Sequence, residues 1–202
     1  AVAASRHAKN PVYLARSVME RSPHLFLVRP SVELVEAWGH ETADQDYFIT
    51  EARIRQLARI QERALAAPRH GTVGAVAFDT HGNVAAATST GGMVNQQMGR
   101  VGDTPMIGAG NYARNGVAAV SCTGDGEAFI RGVVAYDIAA RIRYLESGLA
   151  EAVTATIENE LTANNASGGL VSVAGDGRVV VAHNSPRMFA AFEDPTGLVM
   201  LT

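Results

Sequence analysis

The chain has 202 residues, 47% of them hydrophobic and 18% charged, a globular composition with enough length to bury a sizeable core, which excludes intrinsic disorder. Seventeen basic and twenty acidic side chains leave a net charge of −3 with no run of like charge, so a nucleic-acid partner is not expected. No apolar run reaches the length of a membrane span, and the single Cys122 cannot form an intrachain disulfide, so no membrane partner and a reducing, cytoplasmic compartment are expected.

A composition break divides the chain. Residues 1–71 hold 10 basic and 8 acidic side chains but only Gly39 and Gly71, whereas the other eighteen glycines lie from Gly74 onward. The first segment reads as helices. Asn10 caps a helix that opens with Pro11 and runs through Val12, Leu14, Val18 and Met19 to Ser22-Pro23. The apolar run 24–28 predicts a short buried strand, and residues 31–38 a short helix ended by Gly39. A polar stretch covers 40–45. Thr50 then caps a second long pattern through Ile54, Leu57, Ile60, Ala64 and Leu65, followed by a loop over 66–71.

The second segment opens with a strand over 72–78, turns at 79–83 and returns over 84–88, a hairpin signature. Residues 117–122 predict another strand. Residues 127–144 have helical spacing, with Phe129, Val133, Ile138 and Ile142 on one face, and 149–161 predict a second helix. A second hairpin is expected from 170–173 and 179–182, and a last strand over 197–201. Trp38 and most of the methionines and aromatics are expected in the core. Strands at both ends with helices between them predict antiparallel sheet covered by helices.

Four constellations could carry chemistry. In His70-Gly71-Thr72-Val73-Gly74-Ala75-Val76, a threonine heads a strand after a Gly-containing loop. Cleavage before Thr72 would free an α-amine able to serve as base for the threonine's own hydroxyl. The plainer reading is an ordinary strand start. Thr88-Ser89-Thr90-Gly91-Gly92 ends the returning strand near Thr72 and places Thr90 within reach of it, or is simply a polar turn. Gly99-Arg100-Val101-Gly102-Asp103 sets a guanidinium and a carboxylate three residues apart, suited to an α-amino-acid head or to a surface ion pair. Ser121-Cys122-Thr123-Gly124-Asp125-Gly126-Glu127 is a Gly-rich strand-to-helix turn whose N–H groups, with the Thr123 hydroxyl, could face an oxyanion, or else a tight connection. Cys122 reads as a buried apolar residue. The six histidines show no metal-ligand spacing.

Taken together and in this order, the four motifs resemble the plant-type L-asparaginase and isoaspartyl peptidase family of N-terminal nucleophile hydrolases. The likeness covers residues 72–202, the catalytic β subunit, and extends over 1–71, the C-terminal part of the α subunit, through 6–11, Ser22-Pro23-His24 and Asp46-Tyr47-Phe48. It implies an α+β fold in one structural domain, an αββα sandwich of two stacked, mainly antiparallel sheets covered by helices. It also implies self-cleavage between Gly71 and Thr72 and an (αβ)₂ assembly. Thr72 would be the nucleophile, Thr90 its neighbour, and Thr123 with the Gly124 N–H the oxyanion hole. Arg100 would hold the substrate α-carboxylate, Asp103 its α-ammonium, and Gly126 would add a backbone contact. Gly71, where glycosylasparaginases typically have Asp, favours the asparaginase side.

The family's Gly-rich first strand, sodium-binding loop and active-site asparagine are not found upstream of Ala1. The chain therefore reads as N-terminally incomplete, with any structural sodium site in the missing segment and no cofactor required for the chemistry. The expected activity is hydrolysis of β-aspartyl amide bonds in the small molecules L-asparagine and β-aspartyl dipeptides. The alternatives are a glycosylasparaginase-like or threonine-aspartase-like hydrolase, or an unprocessed precursor that only binds.

Overall fold

The structure is a computed structural model that describes residues 1–63, 71–194 and 197–201. The backbone forms two compact units, Ala1–Gly71 with Gly91–Val101, and Thr72–Thr90 with Gly102–Thr202.

The first unit is mainly helical. A two-residue parallel pair joins β1 (Val2–Ala3) to β2 (Leu27–Val28). The helices are α1 (Pro11–Arg21), α2 (Val32–Ala37), α3 (Gln45–Phe48) and α4 (Glu51–Arg63). Proline opens α1 as expected, but the Asn10 side chain makes no cap bond; its carbonyl accepts from Leu14 N at 3.3 Å. Ser31 caps α2 through the Leu34 N–H at 3.3 Å, and Gly39 follows at φ +78°. Thr50 starts α4, its carbonyl accepting from Ile54 N at 3.0 Å and its hydroxyl from Arg53 N at 3.4 Å. Ala64, Leu65, His70 and the loop between them lie outside the described residues. A small core of Ala8, Leu14 and Val35 is flanked by Val2 and Trp38. The buried strand expected over 24–28 shrinks to β2, and Leu25 is 74% exposed. A two-residue ladder with one partner covers too little of that run to bury it.

The second unit stacks sheets and helices. Strands β3 (Thr72–Phe78) and β4 (Val84–Thr90) form an antiparallel hairpin. The Asp79 carboxylate closes its turn, accepting from His81 N and Asn83 N at 2.8 Å each. A second antiparallel sheet takes the order β5 (Asn111–Arg114), β6 (Ala118–Gly124), β7 (Gly168–Ala174), β8 (Val179–His183). One face of this sheet meets the hairpin. The other carries α5 (Gly126–Gly132), α6 (Val134–Leu145) and α7 (Leu149–Thr156), which share a core with it. A π-helical turn (Ile157–Leu161) extends α7. A further antiparallel pair joins β9 (Ala190–Asp194) to β10 (Gly197–Leu201). The α+β class and the open antiparallel sheets agree with the sequence reading.

Alternation explains the layering. In β6, Ala118, Val120 and Cys122 point into the helix-side core, so Ala119, Ser121 and Thr123 point the other way. Phe129, wholly buried, is the largest side chain of that core. Most other aromatics and methionines expected inside are exposed. Small side chains fill much of the second unit's interior instead: Ala118, Ala119, Ala135, Ala139 and Ala152 are all buried.

The single helix expected over 127–144 is broken. Val133 adopts φ 47°, ψ 44° between α5 and α6 and is 43% exposed, not on the buried face. Past the break, Ala135 N and Tyr136 N donate to the carbonyls of Ala109 and Gly108 at 3.3 and 2.8 Å. Gly132 has no space for a Cβ beside the Glu160 side chain.

Candidate active site

Thr72 begins β3 and Thr90 ends β4, and the register makes them direct cross-strand partners. Their hydroxyls lie 3.4 Å apart, with Thr72 Oγ1 donating. That is long for a bond between two hydroxyls. Thr72 is half-buried and Gly71 is exposed, and a Cβ on Gly71 would meet nothing within 4 Å among the described residues.

The far end of the hairpin fixes which end of the other sheet these threonines face. Val84 N donates to Asn115 Oδ1 at 2.9 Å, just before β6 begins. Phe78 Cδ1 lies 3.2 Å from where Gly177 would carry a Cβ, in the turn after β7. Thr72 and Thr90 therefore fall at the end where β6 runs into Thr123 and Gly124. Thr123 sits on the hairpin-facing side of β6, in the same alternation as Ser121.

Gly124 leaves the strand at φ +147°, and a Cβ there would lie 2.4 Å from Ser167 O and 2.8 Å from Phe129 Cε2. Only glycine makes this turn without strain. The chain passes through Asp125 into buried Gly126, the first residue of α5. Asp125 looks in sequence like a free choice within the turn. In the structure its Oδ2 accepts from Ser167 N at 2.9 Å, while its own N–H donates to Ser167 O at 2.9 Å. Asp125→Ala is expected to cost about 1–3 kcal/mol in urea unfolding, because the half-buried Ser167 N–H loses its acceptor. An unchanged midpoint would show that the bond contributes nothing.

Asp103 is 7% exposed at the head of a loop in the second unit. Gly110 closes this loop: a Cβ there would lie 2.4 Å from Asp103 O, and Gly110 O accepts from Cys122 N at 2.9 Å. The loop is thus fastened beside Thr123. Arg100 belongs to the first unit, where its Nη1 donates to Gln96 Oε1 at 3.5 Å and Gln96 Oε1 also accepts from Met93 N at 3.1 Å. The structure brings Thr72 to Thr90 directly, and Thr123, Gly124, Gly126 and Asp103 to the same sheet end or its flanking loops. Sequence reasoning gave no role to Thr88, Ser121, Gly110 or Ser167. The two-residue alternation in Thr88-Ser89-Thr90 and Ser121-Cys122-Thr123 was the signal that could have found the first two.

Cys122 is a free, buried thiol, pushed up by burial first and then by the Asp103 carboxylate, so it stays protonated and inert, as its sequence context suggested. Among the described residues, no group of three or more His, Cys, Asp or Glu side chains could hold a metal ion. No described helix is long and apolar enough to cross a membrane.

An antiparallel hairpin stacked on a four-stranded antiparallel sheet, with helices on that sheet's other face, gives an α+β fold consistent with the N-terminal nucleophile hydrolase type. The chain belongs to the asparaginase family, whose model matches residues 1–201. It is 44% identical to the isoaspartyl peptidase of Escherichia coli strain K12 over 204 residues, which cover 95% of this chain and 64% of that protein. It is 46% identical to the isoaspartyl peptidase of Salmonella typhimurium strain LT2, covering 95% and 65%. It is 37% identical to the probable isoaspartyl peptidase/L-asparaginase 2 of Arabidopsis thaliana, covering 94% and 66%. The chain thus spans just under two thirds of the length of these relatives.

Proposed function

We propose that this chain carries the nucleophile of an autoprocessing amidohydrolase that cleaves β-aspartyl amide bonds in isoaspartyl dipeptides and L-asparagine. The observation behind this reading is the Thr72–Thr90 hydroxyl pair, set at the sheet end where β6 turns through Thr123 and Gly124. The names and identities of the relatives support the substrate class.

Cleavage of the Gly71–Thr72 peptide frees the Thr72 α-amine. Thr72 Oγ then attacks the substrate's side-chain carbonyl while the amine accepts the hydroxyl proton. The oxyanion is met by the Gly124 N–H and the Thr123 hydroxyl. Collapse expels the amine or ammonia with that proton and leaves an aspartyl ester on Thr72. Water, activated by the same amine, adds to the ester and releases aspartate. Thr90 orients the nucleophile. By the family resemblance, Arg100 would hold the α-carboxylate and Asp103 the α-ammonium, and Gly126 would add a backbone contact. Every proton in this sequence moves between substrate, water and Thr72, so no cofactor is required. A structural sodium of the kind the family resemblance implies would take no part in any of these steps. An (αβ)₂ assembly and a reducing, cytoplasmic compartment complete the reading.

The test is the intact mass after incubation at neutral pH, followed by release of aspartate from a substrate panel. Two fragments divided between Gly71 and Thr72, with turnover of β-aspartyl dipeptides, are expected. A threonine α-amine has an ordinary pKa of about 8, and it accepts protons only when neutral. The rate is therefore expected to fall as the pH is lowered and the amine takes up its proton. One undivided mass would point to an unprocessed precursor. Turnover of glycosylated asparagine alone would point to a glycosylasparaginase-like enzyme.

A further inference from the structure

Between the hairpin and the second sheet lies a polar joint that the reaction does not use. Thr88 Oγ1 and Ser121 Oγ are 2.7 Å apart. Thr88 Oγ1 also reaches Gly110 O at 3.3 Å, and Ser121 Oγ reaches Ala87 O at 3.4 Å. Two hydroxyls hold two protons, so the joint has two closed circuits. In one, Ser121 donates to Thr88 and Thr88 to Gly110 O. In the other, Thr88 donates to Ser121 and Ser121 to Ala87 O. Either circuit satisfies both donors without water.

The joint is also a steric socket. Gly74, the cross-strand partner of Thr88, lies over Ser121, where a Cβ would come within 2.0 Å of Ser121 Oγ. Each joint residue stands two positions from a site residue on the same strand face: Gly74 from Thr72, Thr88 from Thr90, Ser121 from Thr123. Gly110 O, the third member, also holds Cys122 N and closes the Asp103 loop. Displacement here therefore moves the hairpin threonines relative to the oxyanion turn and the Asp103 loop together.

We propose that the Thr88–Ser121 hydroxyl pair is a positioning device, which sets Thr72 and Thr90 at a fixed offset from Thr123 and Gly124. Neither residue touches substrate. The inference rests on the reaction proposed above for its kinetic consequence, and on the joint alone for its structural one.

Removing one hydroxyl strands the other between the sheets, which destabilises for reasons unrelated to positioning. Removing both leaves no orphaned hydroxyl and is close to neutral for stability. The decisive variant is therefore Thr88→Val combined with Ser121→Ala, in the full natural chain. Its urea midpoint is expected near the parent's, with KM held and kcat lowered about 10- to 100-fold, the size expected of a small misplacement of reacting groups. Thr88→Ser, which keeps the hydroxyl, is expected to retain the parent kcat. A double variant that recovers stability and kcat together would overturn the proposal.

A second arm needs no catalysis. Amide hydrogen exchange at Thr90 is expected about tenfold faster in the double variant, with Val120 unchanged. Should the parent fail to turn over β-aspartyl substrates, the proposed function falls and this arm alone decides the joint. Equal exchange at Thr90 in parent and double variant would then overturn it.

Discussion

Thr72→Ala is expected to abolish both self-cleavage and hydrolysis. In the proposed reactions the side chain supplies the attacking oxygen each time, and alanine has none to offer. Removing a nucleophile of this kind lowers turnover on the order of 10⁵- to 10⁶-fold, with the remainder due to binding and oxyanion stabilisation. Intact mass would show one undivided chain, and aspartate release would fall to background. Thr72→Ser keeps the oxygen but loses the methyl that restricts χ1, so partial activity is expected. The alanine variant is expected to unfold at the parent's urea midpoint, since the residue is half-buried and its hydroxyl contact to Thr90 is 3.4 Å long. Full hydrolysis by the alanine variant would remove Thr72 from the mechanism.

The second large effect is expected at Gly124. Alanine there would face φ +147°, a region closed to side chains, and its Cβ would press on Ser167 O, Gly168 Cα and the Phe129 ring. Neither backbone oxygen nor buried ring can yield cheaply. Strain and overpacking together are expected to cost about 3–5 kcal/mol, read as a lower urea midpoint. The N–H proposed to meet the oxyanion would shift with the backbone, so whatever folds is expected to show reduced kcat with a smaller change in KM. An unchanged midpoint would mean that the turn can rearrange freely, and a normal kcat that the Gly124 N–H takes no part.

Local signals were legible where they agreed with tertiary structure. The Asp79–Asn83 turn between two alternating runs defines the β3–β4 hairpin, and from it the Thr72–Thr90 pairing follows. Pro11 and Gly39 punctuate α1 and α2 as they should. The failures have physical causes. Helical periodicity runs through Val133 because periodicity does not register a single residue at φ 47°. Gly132, in contact with Glu160, was the available warning. Strands β5 and β9 escaped because Asn111-Tyr112-Ala113-Arg114 and Ala190-Ala191-Phe192-Glu193 are short and mixed, and pairing decides them. Helix α3 has four residues, too few for a period. At the site, the motifs named the residues at the sheet end but not the Thr88–Ser121 joint beneath them. Alternation puts Thr88 on the face of Thr90 and Ser121 on the face of Thr123, but that these two faces stack against each other is a tertiary fact that neither strand reports alone.

The Phe129 ring has a bearing on solvent. Its Cε2 lies 2.8 Å from where Gly124 would carry a Cβ and 2.6 Å from the same point on Gly168, and those two glycines are register partners at the end of β6 and β7. One ring thus covers the backbone of both strands from the helix side and is itself wholly buried. Behind these two glycines the ring fills the space on the helix side of the sheet. A backbone dipole with an apolar, weakly polarisable backing loses little of its field to solvent, so the negative charge of the proposed reaction would be stabilised in front of it more than in bulk water. The absence of side chains at two glycines and the bulk of one phenylalanine are, in this sense, a single dielectric feature of the fold.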